Sequence, residues 1–202
     1  MDVCMGIVFD KVFDTQKIYR YMLDAMARPG KIQKLPVLNI YPPEKLSSFG
    51  ASLGLTLLDS ETTFAAMPAN QEWQDYFVLQ TGARPVAPEM AEFIILNGSE
   101  YLPCLALVNK GTLPSPERGG TLFVLVESIG RDLPGSIRVT LAGPGIRNQT
   151  QILVTGLHLN NLDIICGLNH EYPLGVDCFF VDDKGNMAAI PRSATIRWEV
   201  TG

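Results

Sequence analysis

The sequence predicts an α/β fold, a single domain over residues 1–202 in which helices flank a mixed β-sheet. Three observations lead to this prediction. Segments with helical capping and spacing alternate with short apolar runs of strand length. The run at 176–181 is nearly continuous apolar sequence, as expected for a strand covered on both faces. A length of 202 residues and an apolar fraction of 47% are typical of one globular domain.

The first predicted helix spans residues 15–27. Asp14 is a suitable N-cap, and apolar residues recur at helical spacing along one side. Arg28-Pro29-Gly30 ends the helix, because the residue before a proline avoids helical geometry and glycine accepts a positive φ. If this is only a core helix followed by a turn, Arg20 and Arg28 are solvated.

Three further helices are predicted. One begins at Pro42-Pro43-Glu44, where proline is tolerated in the first turn. Gly50 and Gly54 lie four residues apart on this helix, and we expect them to allow close packing against a neighbour. Another helix is capped by Asn70, and the last covers residues 160–168.

Short apolar runs bounded by turn residues predict the strands of one mixed sheet. The predicted strands before the C-terminal hairpin cover residues 32–38, 62–67, 93–96, 121–127 and 137–141. Residues 196–200 alternate between apolar and charged side chains, which favours an exposed or edge strand. The longest predicted loop covers residues 113–120, and surface loops often carry function.

The chain is organised around the stretch 172–192, which predicts a buried strand, a tight turn at 183–186 and a return strand that stops at Pro191. Asp177 lies near the start of the first strand and Arg192 just past the end of the second. In an antiparallel pair, these positions lie at the same end of the hairpin. A carboxylate and a guanidinium placed there can pair in a bidentate way, either as a structural ion pair or within a functional site.

Composition excludes several classes of protein. A formal net charge of −5 argues against a nucleic-acid binder, which normally carries a basic face. No signal peptide and no stretch of membrane-spanning length is predicted, so the cytoplasm fits best. The cysteines are far apart and form no cluster, so we expect neither a metal site nor a disulfide framework; they are Cys4, Cys104, Cys166 and Cys178.

No catalytic motif is present: there is no dinucleotide-binding glycine pattern, no Walker loop and no nucleophile elbow. His158 and His170 are the only histidines. A histidine base acting with Asp177 is one interpretation, but a helix cap or a solvated side chain is the more common role. Lys110 follows an apolar run, where a Schiff-base lysine can lie, although a lysine in a glycine-rich turn is the simpler interpretation.

Several arginines fall at the ends of elements or in loops, and together they can form an anion-binding surface if the fold brings them close. These residues are Arg20, Arg28, Arg118 and Arg192. With Asp177, three of them are the candidate functional residues, namely Arg20, Arg28 and Arg192. The sequence alone does not determine whether they meet, and it assigns no catalytic residue.

Five segments, in order along the chain, resemble one known family. They are residues 19–30 (YRYMLDAMARPG), the pattern Gly111-Thr112 with Pro116-Glu117, Gly119 and Thr121-Leu122, residues 141–146 (LAGPGI), residues 173–177 (PLGVD), and Ile190-Pro191-Arg192-Ser193. On these segments the chain resembles the PhnH family, the H subunit of the bacterial carbon–phosphorus lyase system. Tyr21 and Ser193 depart from the expected pattern.

The resemblance implies a role in phosphonate breakdown. In that system, the G, H, I and L subunits are associated with a step in which a phosphonate displaces adenine from ATP, giving ribose 1-phosphonate 5-triphosphate. The G, H, I and J subunits form a core complex, and the nucleosidase chemistry is usually assigned to I. The resemblance further implies a fold similar to the large domain of pyridoxal-phosphate-dependent transferases, without that cofactor, and it allows a homodimer of the isolated chain.

Two functions therefore remain open at this point. The chain is either an accessory subunit of a multienzyme complex or a ligand-binding or catalytic subunit in its own right. In the second case, Arg20, Arg28, Asp177 and Arg192 line one site for a phosphonate or a nucleotide. Apolar side chains in exposed positions favour the first function. Convergence of the four candidate residues in one pocket favours the second.

Overall fold

The computed structural model describes residues 9–201. Cys4 lies outside this range. Most of the N-terminal segment, in which no signal peptide is predicted, also lies outside it. The described helices are α1 (Phe13–Ala27), α2 (Ser48–Leu57), α3 (Gln71–Thr81) and α4 (Leu159–Leu168), with short 3₁₀ turns at Pro88–Met90, Pro103–Leu107 and Pro116–Arg118. The described strands are β1 (Gln33–Lys34), β2 (Thr63–Met67), β3 (Arg84–Pro85), β4 (Phe93–Asn97), β5 (Thr121–Val126), β6 (Ser128–Ile129), β7 (Ile137–Ala142), β8 (Thr150–Thr155), β9 (Asp177–Asp182), β10 (Asn186–Ile190) and β11 (Thr195–Val200).

A seven-stranded mixed sheet forms the centre of the molecule, in the order β1-β10-β9-β5-β4-β2-β3. The five strands from β9 to β3 are parallel, whereas β10 and β1 run antiparallel to their neighbours. The predicted α/β class with a mixed sheet is therefore confirmed. The predicted hairpin is also present, because β9 pairs antiparallel with β10.

The expectation of one sheet is wrong. Four strands form a separate antiparallel sheet in the order β11-β7-β8-β6. Strand β8 has no counterpart among the predicted strands, because the only apolar run in Thr150–Thr155 is the three residues Ile152-Leu153-Val154. A half-buried strand of this kind gives a weak periodic signal.

The central sheet separates two apolar clusters, as the period of two along each strand requires. Phe64 and Phe123 point to the side covered by α1, α2 and α3. Leu122 and Phe180 point to the other side, which is covered by the second sheet and α4. Burial on both faces explains why β9 is nearly continuous apolar sequence.

Several predicted boundaries are corrected by the structure. Asp14 lies in the first turn of α1 and is not its N-cap, and the backbone N of Val12 and of Phe13 donate instead to Asp10 Oδ1. Helix α2 begins at Ser48, after the Ser47 cap, because the residues after the two prolines remain irregular. Strand β1 has two residues where seven were predicted.

The two glycines of α2 contact neighbours closely, as predicted. A Cβ on Gly50 would clash with Leu125 Cδ2, and a Cβ on Gly54 would clash with Phe77 Cε1. Phe77 is fully buried and packs edge-on against Phe64. Its ring therefore has little room to move away.

We expect Gly54→Ala to lower the free energy of unfolding by about 1–2 kcal/mol, because the overpacking outweighs the gain in helix propensity. Gly167→Ala is the matched control. Gly167 lies in α4, and apart from its chain neighbours and the nearby backbone of its own helix, no atom of the described residues lies within 4 Å of the position that a Cβ would take. This change should therefore raise stability by up to about 1 kcal/mol. Urea unfolding of both variants checks the prediction, and equal effects would contradict it.

Candidate functional site

Asp177 and Arg192 meet at one end of the β9–β10 hairpin. Arg192 Nε and Nη2 donate to Asp177 Oδ2 at 3.0 and 2.6 Å, and the backbone N of Arg192 donates to Oδ1 at 2.8 Å. The paired register of Ile190 with Cys178 places both residues at this end. The predicted ion pair is thus present, with two of the three guanidinium nitrogens, Nε and Nη2, directed at a single carboxylate oxygen.

The same guanidinium also holds the segment before β5. Arg192 Nη1 donates to the carbonyl of Pro116 at 2.5 Å, and Nη2 donates to the carbonyl of Gly119 at 3.2 Å. Every guanidinium nitrogen therefore has a protein acceptor, and little donor capacity is left for a ligand. We call these four residues, Asp177, Arg192, Pro116 and Gly119, the Arg192 clamp.

The Arg192 clamp is tightly packed and mostly shielded from water. The side chains of Arg192 and Asp177 are 14% and 21% exposed. A Cβ on Gly119 would clash with the carbonyl oxygen of Gly175 and would lie 2.5 Å from Arg192 Nη1. Only glycine allows this approach of three chain segments.

The clamp lies at the amino edge of the parallel strands, where Thr121 pairs with Asp177 and Phe93 pairs with Thr121. In open α/β sheets, ligands usually bind at the carboxyl edge. The location and the saturated guanidinium therefore favour a structural role for the Asp177–Arg192 pair.

A cavity of about 340 Å³ borders Arg192 and is lined by Cys166, Asn169, His170 and Tyr172, among others. Burial raises the pKa of the Cys166 thiol to about 11, and the Asp163 carboxylate adds to the shift. Cys166 is therefore a neutral thiol at physiological pH and a poor nucleophile. Burial likewise raises the pKa of Cys178, in agreement with its expected role as a small apolar residue.

The two histidines have different surroundings. His158 Nδ1 accepts a hydrogen bond from the backbone N of Asn160 at 3.2 Å, so it caps α4, and its ring stacks on Tyr101. His170 is exposed at the end of α4 and lines the cavity beside Arg192. Both oxygens of Asp177 accept hydrogen bonds from Arg192. This arrangement argues against a histidine that acts as a base together with Asp177.

Lys110 is partly exposed, and its Nζ lies 3.0 Å from Glu171 Oε2. The cavity of about 380 Å³ beside it is otherwise lined by apolar residues and a glycine, namely Ala106, Val108, Ile164, Gly167 and Leu168. Their side chains offer no donor for the phosphate of pyridoxal phosphate. The residues around Lys110 therefore do not fit that cofactor.

The candidate arginines do not share one cavity. Arg20 lines a cavity of about 330 Å³ together with Asp24, and Arg28 lines a second one. Arg192 lines a third cavity, and Arg118 a fourth at the amino edge of the sheet. Arg28 also forms an ion pair with Asp24, one helical turn earlier.

Neither a metal centre nor a membrane span is found in the part of the chain that the structure describes. Within residues 9–201, no three or more His, Cys, Asp or Glu side chains are placed to hold a metal ion. None of the helices in this range is long and apolar enough to cross a membrane.

Comparison with known proteins decides the family. The family model described as "Bacterial phosphonate metabolism protein (PhnH)" matches residues 7–197. The chain belongs to the PhnH family. It is 28% identical over 197 residues to the alpha-D-ribose 1-methylphosphonate 5-triphosphate synthase subunit PhnH of Rhizobium meliloti (strain 1021), covering 96% of each chain. It is 26% identical over 181 residues to the putative C-P lyase subunit protein HtxG of Stutzerimonas stutzeri, covering 90% of this chain and 85% of the relative.

The segments on which the resemblance to the PhnH family rests meet in two places. Three of them, around residues 116–119, 173–177 and 190–193, form the Arg192 clamp. The other two, the turn at 28–30 and the turn at 143–146, contact each other, since a Cβ on Gly145 would lie 2.6 Å from the carbonyl oxygen of Ala27.

Sequence reasoning missed residues whose importance depends on this folding. Asn169 is one, because its side chain bonds the backbone N and O of Val176 at 2.7 and 3.1 Å and so fixes the loop before β9. Lys31 and Arg147 are two more, since both line the cavity beside Arg28. No local sequence pattern marks these residues, because each contact depends on how loops and turns fold onto one another.

Proposed function

We propose that this chain is an accessory subunit of a bacterial carbon–phosphorus lyase complex. In this role it is required for the step that forms ribose 1-phosphonate 5-triphosphate from ATP and an alkylphosphonate with release of adenine. Membership of the PhnH family over residues 7–197 is the observation that carries the proposal. The name of the Rhizobium relative describes a subunit of the synthase for this product, and that relative matches along nearly its whole length.

The geometry around the candidate residues supports an accessory role. The guanidinium of Arg192 is engaged by the protein itself, and the arginines line separate cavities. The alternative function, a ligand-binding or catalytic subunit with an Arg/Asp pocket, needs Arg20, Arg28, Asp177 and Arg192 in one site. It is therefore less well supported.

Exposed apolar side chains support assembly with other subunits, since large apolar residues on a surface often mark interfaces. Val37 and Tyr41 are 83% and 87% exposed in the irregular segment before α2, and Leu79 is 81% exposed on α3. We propose the G, I and J subunits as the partners, and a homodimer for the isolated chain.

The finer features of the fold belong to the same proposal. We infer a relationship to the large domain of pyridoxal-phosphate-dependent transferases without the cofactor, which agrees with the apolar cavity beside Lys110. We also infer that the chain acts as one domain and in the cytoplasm.

The test is co-expression with the G and I subunits, followed by purification and an assay of adenine release from ATP and methylphosphonate. We expect release with this chain and its loss when the chain is omitted. Native mass spectrometry of each preparation shows whether G and I stay assembled. If G and I stay assembled without this chain but adenine release is lost, this chain shapes the reacting site. Adenine release at the same rate without the chain would contradict its requirement in this step.

A further inference from the structure

The cavity beside Arg28 combines cations from two distant segments. It measures about 480 Å³ and lies between the turn after α1 and the loop that joins β7 to β8. Arg28 and Lys31 line it from the first segment and Arg147 from the second. No carboxylate among the described residues lines this cavity, although the whole chain has a formal net charge of −5. A basic cavity on an acidic protein is a concentrated positive site.

The cations are only partly neutralised. Arg28 and Lys31 both contact Asp24 on α1, which lies 3.1 Å from Lys31 Nζ. Their side chains remain 56% and 46% exposed, so both can turn toward a ligand. Arg147 is exposed and has no hydrogen bond or ion pair with another described residue. Three cations against one carboxylate leave an excess of two positive charges.

The cavity walls are held in place before any ligand binds. Gly30 and Gly145 have φ of +77° and +81°, which favour glycine. A Cβ on Gly30 would lie 2.5 Å from Thr150 Cγ2, and a Cβ on Gly145 would lie 2.9 Å from Pro29 Cδ. The two turns are therefore packed against each other, and the cations on them are presented from a fixed backbone. Such preorganisation lowers the cost of binding.

We propose that this cavity binds an oligophosphate anion, such as the triphosphate of a nucleotide. Its volume and its distributed cations suit a chain of phosphoryl groups better than a single one, because each group needs its own positive partner. The side-chain amides of Asn148 and Gln149 also line the cavity and can donate to phosphate oxygens. This inference deepens the proposed function, because the product named for the Rhizobium relative is a 5-triphosphate.

The test is isothermal titration of the purified full chain with inorganic triphosphate, and in separate arms with ATP, inorganic phosphate and methylphosphonate. We expect triphosphate and ATP to bind more tightly than the two single-phosphoryl anions. Arg147→Ala and Lys31→Ala should each weaken triphosphate binding at least about fivefold. Arg138→Ala is the matched control, because it removes the same charge from a surface ion pair on β7, outside the cavity.

Asp24→Asn gives a test of opposite sign. It removes the carboxylate that competes for Arg28 and Lys31, so we expect tighter triphosphate binding, which mere structural damage would not produce. Equal affinities for wild type and Arg147→Ala would overturn the proposal, as would an equal loss in Arg138→Ala. Binding of an acidic peptide in place of triphosphate would also overturn it. The adenine-release assay is independent, so either proposal can fail without the other.

Discussion

Replacing Arg192 by alanine is expected to lower the free energy of unfolding by about 3 kcal/mol. The change removes one partner of a mostly buried ion pair, which is costly because the remaining charge loses its compensation. It also leaves the carbonyls of Pro116 and Gly119 without the donors they have in the Arg192 clamp. Guanidinium chloride unfolding, followed by far-UV circular dichroism, measures the loss.

Controls separate the clamp from ordinary surface charges. Arg138→Ala breaks an exposed ion pair with Glu199 and should cost less than about 1 kcal/mol. Arg192→Lys should be nearly as harmful as Arg192→Ala, because an ammonium cannot reproduce the fork of contacts. Asp177→Ala should also be destabilising, and its coupling with Arg192 can be measured in a double-mutant cycle.

The same variants decide between the two functions. If the clamp is structural, Asp177→Ala and Arg192→Ala lower stability or assembly, and adenine release falls in proportion to the folded complex. If either variant folds and assembles normally but blocks turnover, the accessory role is wrong and a catalytic or ligand-binding role replaces it. Activity should therefore be normalised to assembled complex.

Local chemistry in the sequence predicts the hairpin and its ion pair. Apolar continuity identifies β9, turn residues identify its end, and Pro191 identifies the end of β10. Those signals fix the positions of Asp177 and Arg192, because pairing in a hairpin is set by the residues near its turn. Asn70 at the start of α3 is a correct prediction for the same reason.

Long-range arrangement could not be predicted in the same way. The carbonyls that Arg192 binds belong to residues more than seventy positions away, at distances of 76 and 73 in sequence. The second sheet was missed because β6 has only two residues and the apolar run of β8 has only three. Arg147 joins Arg28 only because the β7–β8 loop packs on the turn after α1.

Asp182, at the other end of β9, gives the second large expected effect. It is fully buried, and its Oδ1 accepts hydrogen bonds from the backbone N of Lys184 at 2.9 Å and of Asn186 at 2.8 Å. Its Oδ2 accepts from the backbone N of Ile129 at 3.1 Å and from Asn186 Nδ2 at 2.7 Å. The carboxylate therefore fixes the hairpin turn and ties the central sheet to β6 of the second sheet.

We expect Asp182→Ala to lower the free energy of unfolding by about 4 kcal/mol, because three backbone N–H groups lose their acceptor and each stranded donor costs about 1–3 kcal/mol. Asp182→Asn keeps the size of the side chain but turns one acceptor into a donor, so about half of that loss is expected. The adjacent Asp183 is exposed, and Asp183→Ala should change stability by less than about 0.5 kcal/mol. Denaturant unfolding of the three variants measures these differences.

Hydrogen exchange locates the effect within the fold. In Asp182→Asn, faster exchange at the amide of Ile129 as well as at those of Lys184 and Asn186 would show that the carboxylate joins the two sheets. Faster exchange only at Lys184 and Asn186 would limit its role to the turn. Asp177 and Asp182 lie at opposite ends of β9, roughly 16 Å apart for a strand of this length. Asp182→Asn should therefore leave Arg192 bound to Asp177, and its loss of stability should add to that of Arg192→Lys.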